Sequence, residues 1–416
     1  MHVGFVTKRF PNLSETFVLN QVTGLIDLGH DIHVFARASK ATDKQHEDVT
    51  EYDLGSRTQY FGPAEARNSA FLPMRLADAV WTVLSAPTAR RKKLLSIAFG
   101  EAPRPVGRRL LDLFYADELL ERGLDDIEVL VCHFGPIGQL ALSWKKAGIY
   151  HGKIAVIFHG YDITQYLQSR GDDVYDELFR EADLLLPISE NWRRRLLELG
   201  APQERIRVHK VGVDCHRFEF RPRKLDDGNG EIRLLSIARL VEKKGIEFGI
   251  RAIDIVRQSF PNVKYRIAGD GPLKDDLQKI IAEHGLEDSV ELLGWRTHEE
   301  IAALLDESHL LLAPSVTSAE GDQEGIPVAL MEALAQGIPV ISTRHSGIPE
   351  LIRDGESGYL TEEADVKGLA AAINRLISEE ARWPDMGRSG ADFVRDTHEI
   401  TRLNRTLSQT LREILG

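Results

Sequence analysis

The sequence predicts an α/β protein with two domains, each built on a parallel sheet covered by helices. A chain of 416 residues, 43% of them hydrophobic, is long enough to form two complete cores. Short apolar runs alternate with helical stretches up to about residue 215, and the alternation starts again at Ile232. The segment 217–230 between the two series is rich in charge, proline and glycine, as linkers are. The predicted boundaries are a first domain over 1–215, a linker over 216–230, a second domain over 231–390 and a final helix over 391–416.

The first domain contains strands predicted from short apolar runs that end at turn residues. Its predicted strands are 3–7, 31–36, 129–133, 153–159, 184–187 and 206–210, and its predicted helices are 15–28, 73–86, 137–147 and 189–199. The first strand, helix and second strand form a βαβ unit, which requires a parallel sheet. The second domain repeats the pattern. Its predicted strands are 232–237, 264–268, 290–293, 310–314 and 339–343, and its predicted helices end near residues 284, 336 and 377.

Composition excludes several classes of protein. The 64 acidic residues outnumber the 52 basic ones, and the formal charge of −12 argues against a general nucleic-acid binder. Cys132 and Cys215 are the two cysteines, so no disulfide framework is predicted and a reducing cytoplasm is expected. The first strand follows Met1 directly, which leaves no room for a signal peptide. No apolar run approaches the roughly 18 residues of a membrane span. We expect a cytoplasmic protein, soluble or peripheral on the inner face of the cell membrane.

The segment 315–343 carries the chemistry that organises the chain. Glu324 and Glu332 are separated by seven residues, and Pro327 suits the first turn of a helix predicted over 327–336. The free amides of such a helix start favour an anion, most naturally a phosphate. A carboxylate would be repelled by phosphate but binds hydroxyl groups well. Two carboxylates on either side of an anion site fit a ligand with sugar, diphosphate and ribose in series, which is a nucleotide-sugar.

The same segment resembles the signature of the family-four retaining glycosyltransferases. The resemblance rests on the groups Glu324-Gly325-Ile326-Pro327, Glu332-Ala333, Gly337-Ile338-Pro339-Val340 and Gly347-Ile348-Pro349-Glu350, and it extends over most of the chain. It implies the GT-B architecture, in which two Rossmann-like, doubly wound domains face each other across a cleft. It also implies that the last helix crosses back onto the first domain. The loop 10–17 and the run 321–327 resemble the exopolysaccharide and colanic-acid branch.

The resemblance assigns most donor-binding residues to the second domain. Arg239 and Lys244 share one strand-to-helix loop, where fixed cations stabilise a departing diphosphate without a metal. Their neighbour Lys243 is expected to point to solvent. Glu332 is expected to bind the ribose and Glu324 the sugar hydroxyls. The remaining predicted donor contacts are Gly325, Ile326 and Pro327 at the helix start, Gly271 in a turn beside the nucleotide, and Trp295 and Arg296 at the base; ordinary packing is the alternative for Trp295.

Acceptor-binding residues are expected on the first domain. His159 and Asp162 follow a strand and match the family's His-Gly-x-Asp motif, which implies that His159 lies near the transferred sugar and Asp162 near the acceptor. His133 also ends a strand and is a candidate, with a structural role as the alternative. Ser14, Glu15 and Thr16 lie in a loop expected at the cleft and are predicted acceptor contacts. A plain helix cap is the alternative for Ser14.

A basic run interrupts the acidic chain between residues 90 and 109. Its members are Arg90, Arg91, Lys92, Lys93, Arg104, Arg108 and Arg109. Bases near an anionic bilayer contribute about 1 kcal/mol each, so one hypothesis is a membrane-facing patch with Leu94 and Leu95 at the interface. The alternative is a solvated charged face.

The predicted activity is metal-independent, retaining transfer of a hexose from a nucleotide-sugar. A UDP-hexose is favoured as donor and a GDP-sugar is second, while the implied acceptor is a polyprenyl-diphosphate-linked oligosaccharide. No Asp-x-Asp triplet, the usual metal motif of the other glycosyltransferase architecture, occurs in the sequence, so we expect no metal or other cofactor. Two alternatives are a sugar-nucleotide epimerase with the same double fold and a non-catalytic glycan-binding protein.

Overall fold

Two parallel six-stranded sheets form the framework of the computed structural model, which describes residues 1–12, 15–36, 47–61, 72–99, 106–225 and 230–416. The first sheet contains β1 His2–Thr7, β2 Asp31–Ala36, β3 Thr58–Tyr60, β4 Val129–His133, β5 Lys153–Phe158 and β6 Leu184–Pro187. The second contains β7 Ile232–Ile237, β8 Val263–Ala268, β9 Val290–Gly294, β10 Leu310–Ala313, β11 Val340–Thr343 and β12 Gly358–Thr361. The α/β prediction, with one Rossmann-like sheet in each half, is confirmed.

Helices accompany both sheets. In the first half they are α1 Thr16–Asp27, α2 Glu47–Glu51, α3 Leu54–Arg57, α4 Leu72–Ser85, α5 Thr88–Phe99, α6 Val106–Arg122, α7 Gly135–Lys146, α8 Gln165–Arg170, α9 Asp176–Glu181 and α10 Glu190–Glu198. In the second half they are α11 Ile246–Val256, α12 Lys274–Glu283, α13 His298–Glu307, α14 Val328–Ala335, α15 Val366–Ser378, α16 Trp383–His398 and α17 Ile400–Leu415. Within the described ranges, none of these helices has the length and apolarity needed to cross a bilayer.

The strand orders explain where a ligand crevice forms. The first sheet has the order β3-β2-β1-β4-β5-β6 and the second β12-β11-β10-β7-β8-β9. In each, the order reverses beside the first strand of the unit, and open parallel sheets bind ligands at such a point, beyond the carboxyl ends of the strands. The central strands are buried on both faces, as in β4, whose five residues are all buried. This explains why they were recognisable as continuous apolar runs.

Three local predictions differ from the structure. Residues 206–210 do not form a regular strand. They lie beside β6 through an isolated bridge between Ile206 and Leu185, and Arg207 N and His209 N donate to Leu185 O and Pro187 O. The short strands β3 and β12 were not predicted, because their sequences, Thr-Gln-Tyr and Gly-Tyr-Leu-Thr, are not the continuous apolar runs that identified the equally short β6, β10 and β11. Pro327 precedes α14 rather than starting it: its ψ of 124° is extended, so helical geometry begins at Val328.

The last helix packs on the first domain. Asn404 Nδ2 of α17 donates to Asn20 O of α1 at 3.0 Å, and His30 Nε2 lies 2.7 Å from Ser408 Oγ. Gly24 of α1 allows this approach, since a Cβ there would lie 1.8 Å from Asn404 Nδ2. The helix therefore connects the carboxyl terminus to the first sheet's helical layer. The exact domain boundaries stay a prediction.

Candidate active site

Four charged side chains meet where the loop after β7 faces the loop before α14. Lys244 Nζ lies 2.8 Å from Glu324 Oε2, while Lys243 Nζ lies 3.6 Å from Glu324 Oε1 and 3.0 Å from Asp322 Oδ2. The two lysines occupy a single turn of 3₁₀ helix, Glu242–Lys244. Gly245 ends this turn with a φ of 60° and lies so close to Pro314 O that a Cβ would be 1.9 Å from it. The prediction for Lys243 is wrong: its side chain is 11% exposed and points into the site, because two carboxylates stabilise its charge there.

Glu324 stays ionised although it is 7% exposed. Burial by itself raises the pKa of this carboxyl, but Lys244 and then Lys243 outweigh that effect and hold the pKa at about 2. The backbone is fixed as well, because Glu324 N donates to His345 Nε2 at 2.9 Å. His345 Nδ1 in turn lies 2.6 Å from Glu363 Oε1. The carboxylate is thus held in one position by a network from three different loops.

Glu332 has the opposite environment, one turn into α14. Burial raises its pKa to about 7, and its carboxylate has no hydrogen bond or ion pair within the described residues. A carboxyl without a compensating charge favours its neutral form when it loses water. The two glutamates of the sequence signature therefore differ in charge near neutral pH: Glu324 is an anion, whereas Glu332 titrates.

Two glycines bring the halves of the molecule together at Glu324. A Cβ on Gly325 would lie 2.8 Å from His159 O and 2.6 Å from Ile188 Cδ1. Gly160, with a φ of 129°, would place a Cβ 3.2 Å from Gln323 O. The loop before α14 therefore contacts the end of β5 backbone to backbone and packs against the Ile188 side chain after β6. Ile326 and Pro327 are buried behind this contact. Their side chains therefore cannot contact a ligand, and at the predicted donor contacts Gly325, Ile326 and Pro327 only backbone groups are available.

The other predicted donor residues line the second domain's strand ends. Arg239 is exposed and has no hydrogen bond or ion pair within the described residues. Gly269 and Gly271 lie against the backbone of residues 238–240, where a Cβ on Gly271 would be 2.5 Å from Leu240 O. Trp295 is 41% exposed after β9, and Arg296 Nη1 lies 3.9 Å from Glu300 Oε1. Arg239 is thus a cation not neutralised by its neighbours, unlike Lys244.

On the first domain, His133 and His159 form an uncharged stacked pair. His133 Nδ1 lies 3.0 Å from His159 Nε2, and the rings stack with centroids 5.2 Å apart. Burial, and secondarily His209, lowers the pKa of His159 to about 3; burial also lowers that of His133. The ring centroids of Phe17 and Phe134 each lie 4.6 Å from the centroid of the His159 ring. His133 is 0% exposed, so it supports His159 and is not positioned to contact an acceptor itself, contrary to its prediction.

Asp162 is likewise internal rather than in the cleft. Its carboxylate is 0% exposed and accepts from the backbone N–H groups of Gly135 at 2.9 Å and of His159 and Gly160 at 3.0 Å each. Burial raises the pKa of Asp162 to about 6, against the opposing effect of these amides. We therefore interpret Asp162 as the residue that holds the His159 loop, and the expected direct acceptor contact does not fit its burial.

The loop before α1 contributes a carboxylate, that of Glu15, which forms a side-chain hydrogen bond with Asn12. Glu15 is partly buried, and its Oε2 atom has no hydrogen-bond partner in the described structure. Burial raises its pKa, while Asn12, Lys8 and Arg239 act in the opposite direction, so Arg239 of the second domain lies close enough to interact electrostatically. Thr16 is partly exposed and begins α1. Ser14 lies outside the described residues.

The basic run is not a uniform charged surface. Arg90 Nη2 lies 2.7 Å from Asp117 Oδ1, and Arg91 donates to Val83 O, Leu84 O and Ala86 O at the end of α4. Leu94 is 0% exposed. These side chains hold α4, α5 and α6 together, which corrects the hypothesis that the whole run faces a membrane. Arg104, and the side chains of Arg108 and Arg109, lie outside the described part of the chain.

Metal-ligand geometry within the described ranges occurs at one group, His2, Asp31 and His33, at the opposite, amino-terminal edge of the first sheet. In the cleft, Asp322 and Glu324 are both ion-paired with lysines, which makes them poor ligands for a divalent cation.

Sequence reasoning missed Asp322, His345 and Glu350 as parts of the site. Glu350 accepts from Glu190 N at 2.9 Å and Asn191 N at 2.7 Å, so it caps α10 of the first domain from the second. His345 could have been found by the rule that selected His159, because it also follows a buried strand. No local signal identified the partners of Asp322 or Glu350.

Comparison with known proteins agrees with this geometry. Residues 217–392 match the model of glycosyl transferases group 1, and residues 14–217 match that of glycosyltransferase family 4. The chain is 38% identical over 429 residues, covering 100% of both chains, to the Escherichia coli K12 protein WcaL, whose name assigns it to colanic acid biosynthesis. It is 39% identical over 384 residues, covering 92% of both, to the Erwinia amylovora amylovoran biosynthesis glycosyltransferase AmsK. The Anabaena protein HepE, solved with UDP, superposes with a TM-score of 0.72 at 16% identity, over 99% of each chain.

Proposed function

The chain belongs to the group 1 and family 4 glycosyltransferases of exopolysaccharide biosynthesis, and we propose that it transfers a hexose with retention to a lipid-linked oligosaccharide. The proposed donor is a nucleotide-sugar, with a UDP-hexose favoured and a GDP-sugar second. The observation that carries the proposal is the Lys244–Glu324 pair just before α14, whose side chains are 15% and 9% exposed and whose loop is in backbone contact with the end of β5. This arrangement combines cations, a helix start and a fixed carboxylate at one point of an interdomain cleft.

In the proposed complex, the donor lies along the carboxyl edge of the second sheet. Arg239 and Lys244 bind the diphosphate, and the first amides of α14 support them. Glu332 accepts from the ribose hydroxyls, and Glu324 accepts from hydroxyls of the sugar. Gly271 leaves room for the nucleotide, and Trp295 and Arg296 hold the base. Lys244 then exchanges part of its contact with Glu324 for phosphate oxygens, while Lys243 keeps Glu324 ionised.

The acceptor hydroxyl is proposed to enter from the first domain, past Glu15, Thr16 and His159. Its oxygen forms a bond to the anomeric carbon on the face from which the diphosphate oxygen departs, so the configuration is retained. The acceptor proton passes to an oxygen of the leaving phosphate, and no general base from the protein is required. The neutral His159 suits this step, because it can hydrogen-bond to a sugar without taking up the proton.

We propose that the chemistry needs no metal, because lysines and Arg239 supply the positive charge near the leaving group. Turnover in excess chelator should equal turnover with added magnesium. Loss of turnover in chelator that magnesium restores would contradict this part of the proposal while leaving the transferase assignment intact.

A UDP-hexose is favoured because the Anabaena structural neighbour was also solved with UDP-glucose. The direct test incubates the protein with a panel of UDP- and GDP-hexoses and a polyprenyl-diphosphate oligosaccharide, and measures nucleotide release and product anomeric configuration. We expect release that depends on the acceptor and a product with the donor's configuration. Glu332→Gln serves as the donor-site variant. An isomerised sugar from donor alone would favour an epimerase, and glycan binding without nucleotide release from any donor would favour a binding protein.

A further inference from the structure

The α4–α5 hairpin exposes an unusual amount of apolar surface. Ten large apolar side chains are exposed in the described part of the chain, and seven of them lie between Met74 and Phe99. In α4, Met74, Trp81 and Leu84 are 63%, 73% and 60% exposed, whereas Ala79, the smallest apolar type, is 4% exposed. An ordinary surface helix does the reverse, burying its large apolar residues and exposing polar ones. The helix therefore presents to the outside the face that would normally form its core contact.

The exposed residues form one continuous stripe. Met74, Ala77, Trp81 and Leu84 follow one another at intervals of three or four residues, which places them on one side of the helix. Val80, 56% exposed, lies beside Trp81. Ten residues of helix separate Met74 from Leu84, so the stripe is about 15 Å long. On α5, Phe99 is 79% exposed and extends the apolar surface onto the second helix.

Positive charge accompanies this surface in a chain whose formal charge is −12. Residues 72–99 contain five basic side chains and a single acid, Asp78. Arg90 and Arg91 are engaged internally, as described above. Lys92 is exposed and Lys93 partly exposed, and neither has a hydrogen bond or ion pair within the described residues. The two lysines are thus available to an anionic partner.

The chain itself offers little to cover the stripe. The residues outside the described ranges include two large apolar side chains, Leu13 and Phe71. A soluble partner would have to bring its own apolar surface, but an anionic bilayer matches both properties at once. Tryptophan favours the headgroup region, other apolar side chains favour the acyl boundary, and lysines favour the negative surface potential.

We propose that Met74, Val80, Trp81, Leu84 and Phe99, with Lys92 and Lys93, form a membrane-docking surface that inserts into the interface of an anionic phospholipid bilayer. The surface is defined by the apolar face of α4 rather than by the basic run as a whole. It would bring the enzyme to the layer in which a lipid-linked acceptor resides. The proposal is independent of the donor site, because docking is measured without nucleotide-sugar.

The first experiment is co-sedimentation with phosphatidylcholine vesicles that contain or lack phosphatidylglycerol. We expect binding to the anionic vesicles that weakens at high salt. Trp81→Ser combined with Leu84→Ser should reduce binding on the order of tenfold or more, because two anchoring side chains are lost. Lys92→Glu combined with Lys93→Glu should reduce binding to anionic vesicles by a similar factor. The matched controls are Tyr60→Ser, an exposed aromatic elsewhere on the first domain, and Lys367→Glu, an exposed lysine of α15; both should bind like wild type.

A second measurement uses the unaltered protein, so it does not depend on how the variants fold. Bromine-labelled lipids quench tryptophans that enter the bilayer. Three of the five tryptophans, Trp144, Trp192 and Trp383, are 2% exposed or less. We expect quenching that disappears in Trp81→Phe and persists in Trp295→Phe.

Equal vesicle binding by wild type and the Trp81/Leu84 variant would overturn the proposal, as would quenching that survives Trp81→Phe. A wild-type dimer that becomes monomeric in the variant, without vesicle binding, would assign the face to a second copy of this chain and also overturn it. Transfer to a short, water-soluble acceptor should be unchanged in the variant, which separates failure of docking from failure of the proposed function.

Discussion

The two walls of the cleft, one on each domain, are both formed at the ends of parallel strands, but they differ in charge. The second domain's wall, around the loop before α14, consists of ion-paired side chains: Lys243 and Lys244 against Asp322 and Glu324. The first domain's wall, at the ends of β4 and β5, consists of uncharged rings packed around His159. Both walls are the carboxyl ends of parallel strands.

The difference shows that burial alone does not determine the charge of a site. Glu324 is buried and His159 is partly buried, yet Glu324 remains an anion with a pKa of about 2, whereas His159 is neutral with a pKa of about 3. The lysines offset the desolvation of Glu324, whereas among the described residues no carboxylate counteracts the effect of burial on the pKa of His159. A charged wall suits an anionic donor, and a neutral wall suits a hydroxyl acceptor.

The largest effect is expected from breaking the charged wall. Lys244→Ala should lower kcat/KM by more than about 30-fold and destabilise the fold by about 3 kcal/mol, since it removes the cation that pairs with the buried Glu324. Arg239→Ala should lower kcat/KM by a similar factor but change stability by less than about 0.5 kcal/mol, because Arg239 is exposed and unpaired within the described residues. Steady-state kinetics and chemical denaturation measure both quantities.

Lys367→Ala is the control for these two variants and should match wild type in both assays. Near wild-type turnover in both Lys244→Ala and Arg239→Ala would refute the role of positive charge at the leaving group.

The contrast between the two glutamates can be tested by pH. Since the folded-state pKa of Glu332, about 7, is above the 4.5 of an unburied glutamate, the stability contributed by its protonated carboxyl is complete below pH 4.5 and is lost as pH rises through 7. Glu332→Gln should therefore raise the melting temperature on the order of 2 °C at pH 8 and leave it unchanged near pH 4.5.

Donor binding should show the opposite dependence, because hydroxyl groups bind best to the ionised carboxylate. The KM for donor should rise as pH falls below 7 in wild type, and this dependence should be absent in Glu332→Gln. The range from roughly pH 6 to pH 8 spans the pKa of Glu332. A wild-type KM for donor that does not vary over this range would count against Glu332 as the ribose ligand.

A smaller effect is expected from the neutral wall. His133→Phe keeps an aromatic ring against Phe5 and Phe17 but removes the 3.0 Å contact with His159. We expect kcat to fall about fivefold, the equivalent of one hydrogen bond, with little change in the KM for donor. An unchanged kcat would show that His159 is oriented by its aromatic neighbours alone.

The smallest effect is expected where the two walls are joined. Glu350→Gln removes the negative charge that Glu350 places at the first turn of α10 in the other domain. The interaction between such a charge and a helix start contributes about 0.5–1 kcal/mol. We expect a two- to fivefold rise in the acceptor KM and a larger radius of gyration in small-angle scattering. Glu356→Gln, an exposed glutamate of the same loop, should cause neither change.

Several strands were predicted to the residue from the sequence, including Asp31–Ala36, Val129–His133 and Ile232–Ile237. The boundaries of these strands can be predicted from the local sequence, because each strand is a buried apolar run that ends at a turn. The signature around Glu324 and Glu332 was also local, since Glu324 and the helix that contains Glu332 lie in one short segment. The family assignment that followed from it is confirmed.

The sequence by itself therefore determined the fold class, the family and the helix that organises the site. Tertiary structure alone decided that Lys243 points inward, that Asp162 holds a loop rather than facing the cleft, and that α4 exposes its apolar face. Periodicity fixes which backbone segments form, but the partners of a charged or apolar side chain come from loops and helices distant in sequence. Desolvation then sets the protonation state according to those partners, and no local pattern contains that information.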